Sequence, residues 1–115
     1  MTHKQHSGIG LARWATFPFY KQILMVANEL HRARNWLHKG DIAESRECWI
    51  RALELLNMTK SLIRERPTLL RELCRAGEAI AGLYVSSKPT VHEADSIERA
   101  LIMLSPESYN LLHPA

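Results

Sequence analysis

Long apolar runs are missing from this sequence. Its 46% apolar residues fall in stretches of only a few, and a bilayer-spanning helix needs roughly 20 in a row. Met1 to Gly10 has no apolar segment of the kind that opens a secretory signal. Cysteine is scarce. Cys48 and Cys74 are too few for the disulfide framework of a small secreted domain. Both sit in apolar stretches, which reads as buried free thiols in a reducing compartment, with a disulfide between facing helices as the alternative. No stretch alternates with period two, which argues against strands. These absences point to a cytoplasmic protein that does not enter a membrane.

What remains is ordinary globular composition. The chain has 115 residues, 23% of them charged, enough for one domain and too apolar for disorder. The net charge of +3 is small for a dedicated nucleic-acid binder. It is also unevenly placed. Residues 1–40 carry Lys4, Arg13, Lys21, Arg32, Arg34 and Lys39 against Glu29, and the remainder is slightly acidic.

Helical periodicity organises everything after a lead-in, residues 1–15, that reads as flexible and docked by Leu11 and Trp14. A first helix is predicted from about Phe17 to Lys39, with Thr16 as cap, Pro18 in the first turn and a stripe of Phe19, Ile23, Val26, Leu30, Ala33 and Leu37. Gly40 supplies the left-handed stop. Asp41 and Glu44 open a second helix in capping-box spacing, with Ile42, Trp49, Ala52, Leu56 and Ile63 as its stripe. Glu47 and Arg51 pair at i,i+4 on its far face. A third helix spans about Thr68 to Ser86 on Leu69, Leu73, Ala76, Ile80 and Leu83. Gly77 in its interior points to a close backbone approach. Thr90 and Glu93 box a short fourth helix on Ala94, Ile97, Leu101 and Leu104, after which Ser105-Pro106 restarts a turn carrying Tyr109, Leu111 and Leu112. Short links make antiparallel neighbours. The expected architecture for residues 16–115 is therefore an all-α, up-down-up-down four-helix bundle. Its short fourth helix leaves one end of the long hairpin uncovered, as a candidate interaction surface.

Chemistry-bearing patterns are thin. Six histidines include His3 with His6 in the lead-in and His31 with His38 two turns apart, too far to share a zinc ion. No glutamate precedes a histidine by three, so the di-metal bundle motif is absent. No metal, cofactor or catalytic residue is expected. Lys21, Arg32 and Lys39, with Asn28 and Asn35, form a basic strip on the first helix that could track phosphates, with only Trp36 beside it for stacking. Arg34 falls in the apolar stripe. It either pairs with a glutamate of a neighbouring helix or lines a groove with His38. Met25 and Trp36 on the first helix, and Ile50 and Met58 on the second, lie off their stripes. They form either a contact surface or part of a wider core.

Two resemblances follow from these residues. Arg32 to His38 is similar to the R-x5-H spacing of the HEPN class of helical ribonucleases, although Ala33 stands where that class has a polar residue. The run ILMVANELHRARNWLHKGDIAESRECWIRALELLNMTKSLI, Ile23 to Ile63, with LLRELCRAGEAIAGLY after it, resembles the helical hairpin and third helix of flagellar export chaperones that bind flagellin. That resemblance implies a small helical bundle, without cofactor or chemistry, that holds a segment of an exported protein in apolar grooves. The expectation is therefore a non-enzymatic protein-interaction module, as an adaptor or homodimer. Its partner surface is Met25, Arg34, Trp36, His38, Ile50 and Met58. The alternative is a nucleic-acid-acting protein using Lys21, Arg32 and Lys39.

Overall fold

Every element of regular structure is helical. The computed structural model describes residues 9–114 and contains no strand among them. The helices are α1 (Leu11–Trp14), α2 (Phe19–His38), α3 (Ile42–Ser61), α4 (Pro67–Val85), α5 (Val91–Ile102) and α6 (Pro106–Leu112). His3 and His6 lie outside the described residues. No helix among those described is long and apolar enough to cross a membrane.

Local chemistry sets most boundaries. Gly40 has φ +81°, a backbone region that carries little penalty only for glycine, and the chain reverses there. The Asp41 carboxylate accepts from Glu44 N at 3.0 Å. Thr90 and Glu93 form the full reciprocal box. Pro67 stands in the first turn of α4, where its missing N–H loses nothing. Two boundaries differ from expectation. The Thr16 hydroxyl donates back to Arg13 O at 2.6 Å, closing α1 rather than capping α2, and Pro18 takes the cap position of α2. The second helix ends at Ser61, so residues 62–66 form a link.

Of the expected lead-in, residues 1–8 lie outside the described residues, and residues 9–15 are docked through Trp14 as expected, with Leu11 exposed. Trp14 is fully buried and its indole N–H donates to Thr59 Oγ1 at 2.9 Å. The Thr59 hydroxyl donates to Gln22 Oε1 at 2.7 Å. The Gln22 amide donates to the carbonyls of Trp14, at 3.1 Å, and Phe17, at 2.9 Å. This buried network is saturated, so it avoids the penalty of unpaired polar groups. It fixes α1 and the start of α2 against the end of α3. At the other end of the pair, the Ser45 hydroxyl donates to Ala33 O at 2.9 Å.

The core holds the predicted stripes. Ile23, Val26, Leu30 and Ala33 face Trp49, Ala52 and Leu56, all essentially buried. Alanines at 27, 33 and 52 let α2 and α3 approach closely, and this pair packs most extensively. The four longest helices close a ring of contacts: α2 touches α3 and α5, and α4 touches the same two. Arg46 of α3 donates to Tyr84 O and Ser86 O, both at 3.0 Å, which seats the end of α4 beside the start of α3. Gly77 does not mark a forced approach. A Cβ there would meet Leu56 Cδ2 at 3.6 Å and Lys60 Nζ at 3.7 Å, ordinary contacts.

Cys48 is buried, whereas Cys74 is exposed and both thiols are free. Cys74 follows buried Leu73, and one helical step of about 100° turns it outward. Burial pushes the Cys48 thiol above its ordinary value, with Arg51 opposing. Thiolate is the reactive form. Ellman's reagent should therefore titrate one thiol promptly in the folded protein and the second only on denaturation. Two prompt thiols would contradict this burial.

Candidate functional site

The contacts that hold α1, α2 and α6 together also build a distinctive end of the molecule. The Ser108 hydroxyl donates to Tyr20 O at 2.8 Å, docking α6 beside the start of α2. Ser105 caps α6 by accepting from Ser108 N at 3.2 Å. Arg66, at the entry to α4, lies 5.9 Å from the Phe19 ring, and Lys21 lies 4.6 Å from the Phe17 ring. Phe17 meets Trp14 edge-on at 5.8 Å. The start of α2, the end of α3, the entry to α4, α1 and α6 thus share one end. The sequence reading left one end of the hairpin, unspecified, without a cover, and α6 folds beside the start of α2.

That end is both apolar and basic. Leu11 is exposed on α1, and Met103, Tyr109, Leu111 and Leu112 are exposed on the end of α5 and on α6, Met103 at 67% and Leu111 at 60%; Val85 at the far end of α4 is the other large hydrophobic so exposed among the described residues. Exposed apolar side chains gathered at one place mark contact surfaces more than scattered ones do. Arg13, Lys21, Arg64 and Arg66 add charge, and none has a carboxylate partner among the described residues. Glu65 and Glu107 are the nearby acids in these segments. Sequence reading missed the join between the two basic segments. Arg64 and Arg66 lie more than forty residues after Lys21, and the hairpin brings them to the same end. The available signal was the Arg-Glu-Arg run before Pro67.

The expected partner surface is not assembled as drawn. Met25, Trp36 and Met58 are half-buried and packed against the core, and Ile50 is also half-buried. The wider core therefore absorbs most of that set. Met25 lines a cleft beside α2 with Ile9, Lys21 and Leu55, whereas Trp36 stands at the far end of α2 under Lys39, 5.0 Å from its ring. His38 is exposed.

Arg34 resolves into an ion-pair cluster between α2 and α5. Its Nε donates to Glu98 Oε1 at 3.1 Å and lies 3.8 Å from Asp95 Oδ1. Nδ1 of His31 is 3.2 Å from Glu98 Oε2 and 2.8 Å from Arg34 Nη2. Glu98 is buried, so this pairing locks α5 to α2. Arg51 reaches across to α2, with Nε donating to Glu29 Oε1 at 3.1 Å.

The basic strip is also dispersed. Arg32 lies 3.4 Å from Glu29, while Lys21 and Lys39 stack on aromatics at opposite ends of α2. Arg32 and His38 are about a third of a turn apart around the helix and ~9 Å apart along it, so they do not converge on one phosphate. Among the described residues no three His, Cys, Asp or Glu gather as a metal site. His113 stacks on Tyr109 at 4.3 Å, with Nδ1 3.0 Å from Tyr109 O. Compared with family models, curated proteins and solved structures, the chain matches none.

Proposed function

We propose that this chain is a non-enzymatic, cytoplasmic interaction module, without cofactor, that holds a segment of a partner protein at the end formed by α1, the start of α2 and α6. The carrying observation is the exposure of Met103, Tyr109, Leu111 and Leu112 on the adjoining ends of α5 and α6, where Met103 and Tyr109 line one hollow. An up-down-up-down course of α2 to α5 suits this role and is supported by the Trp14–Thr59, Ser45–Ala33, Arg46–Tyr84 and Arg34–Glu98 bonds. An export-chaperone-like adaptor is the specific form that the helical-hairpin resemblance suggests. A homodimer through the same end is the self-partnered version.

The test is affinity capture from the native cell with the wild-type chain and a Leu111→Ser/Leu112→Ser variant. Both side chains are exposed, so the variant should keep its helical circular dichroism and its melting midpoint. It should lose the captured partner, or self-association in sedimentation. Unchanged capture and unchanged association would refute the proposed end.

A second reading, nucleic-acid binding, is favoured by Arg13, Lys21, Arg64 and Arg66, which have no carboxylate partner among the described residues. It requires RNA affinity that falls steeply with salt. The aromatic faces at this end argue against it, because Lys21 and Arg66 already cover Phe17 and Phe19.

A further inference from the structure

Leu24 and Asn28 of α2 stand as a ridge with a cleft on either side. The cleft toward α3 has a volume of about 390 Å³, an apolar lining that includes Ile9, Met25 and Leu55, and Lys21 at its rim. The cleft toward α5 and α6 has about 410 Å³ and reaches Ala27, Ile102 and Leu112. Leu24 and Asn28 line both. A single elongated ligand crossing α2 at this ridge can therefore seat side chains in both clefts. An amphipathic helix suits that arrangement, since its residues three and four apart straddle a ridge.

Charge selects the helix. The carboxylates of the two clefts are already neutralised: Glu29 by Arg51 at 3.1 Å and Arg32 at 3.4 Å, and Glu98 by Arg34 at 3.1 Å. The Lys21 ammonium at the rim lies over the Phe17 ring, and neither it nor Arg13 on neighbouring α1 has a carboxylate partner among the described residues. Aliphatic linings give nothing to a nucleobase but do hold leucine-like side chains. Resting on the reading given under Proposed function, we propose that the occupant is an acidic amphipathic helix of another protein. Its apolar face lies across Leu24 into both clefts, and its carboxylates meet Lys21 and Arg13.

The test uses the full chain and two fluorescent synthetic helices of about 18 residues, long enough to be helical with capping. They share one leucine-rich face and differ in carrying Glu or Lys on the other. Anisotropy titration should show the Glu peptide binding at least about tenfold tighter than the Lys peptide, with the gap shrinking as salt rises. Lys21→Glu with Arg13→Glu should weaken the Glu peptide about tenfold and remove its advantage. Leu112→Ser should weaken both peptides, with circular dichroism unchanged. Equal binding of the two peptides, lost together in Leu112→Ser, would overturn the acidic preference while leaving the end as a partner surface. Absence of binding by the Glu peptide would overturn the inference alone, because the capture experiment with Leu111→Ser/Leu112→Ser decides the broader reading separately. An oligouridine probe that binds more tightly than the Glu peptide, and is lost in the Lys21/Arg13 variant, would overturn it in favour of RNA.

Discussion

Trp14→Ala should destabilise the protein by about 3–5 kcal/mol, the range for truncating a fully buried large aromatic. Trp14 is 0% exposed although it belongs to a helix of four residues. A one-turn helix has no stability of its own, so the side chain must hold the segment. Truncation does more than leave a cavity. It takes away the N–H that Thr59 Oγ1 accepts, and with it the ordered geometry in which Gln22 satisfies the Trp14 and Phe17 carbonyls. Total stabilities of domains this size are about 5–15 kcal/mol, so a large part of the total is at stake. Urea unfolding followed by far-ultraviolet circular dichroism measures it. Trp14→Phe, which keeps most of the ring and loses the donor, should fall between the wild type and alanine. Thr59→Val should be additive with neither, because both act on the same bonds. A loss below about 1 kcal/mol for Trp14→Ala would mean that α1 is not part of the core.

Glu98→Ala should lower stability by about 2 kcal/mol. Removing one partner of a buried ion pair strands the other charge, a loss of about 3–5 kcal/mol when both are fully enclosed. Here the Glu98 side chain is 12% exposed and that of Arg34 22%, so water relieves part of the penalty. His31 loses its carboxylate neighbour at the same step. The diagnostic comparison is the double variant Arg34→Met/Glu98→Met, which removes both charges and keeps the volume. It should be more stable than Glu98→Ala alone. Because α5 is the short helix that this cluster ties to α2, hydrogen exchange in Glu98→Ala should rise first in α5 and α6. Uniform exchange, with no measurable loss of stability, would refute a locking role for the cluster.

Helices, stripes and the caps at Asp41 and Thr90 were legible from the chain alone because they follow local rules, whereas the expected Thr16 cap did not form. The 3.6-residue period, the left-handed glycine at 40 and the Thr90–Glu93 box each act within a few residues. Ion pairing and exposure were not so legible. Arg34 fell in an apolar stripe, and only the position of Glu98, sixty-four residues away, decides that it is paired. Met25, Trp36 and Met58 looked outward by helical angle, yet the core is wider than one stripe because each of the long helices touches two others. Cys74 looked buried for the opposite reason, lying beside a stripe on a helix whose flank stays open.

Sequence by itself therefore determined that the chain is helical, where its long helices run and which residues form their inner faces. Tertiary structure alone decided how Trp14 is held, through Thr59 and Gln22, that α6 folds back on Tyr20, and that Arg66 comes to the start of α2 beside Phe19. Periodicity and capping are properties of neighbouring residues. A surface is made by segments that meet only when the chain has closed on itself.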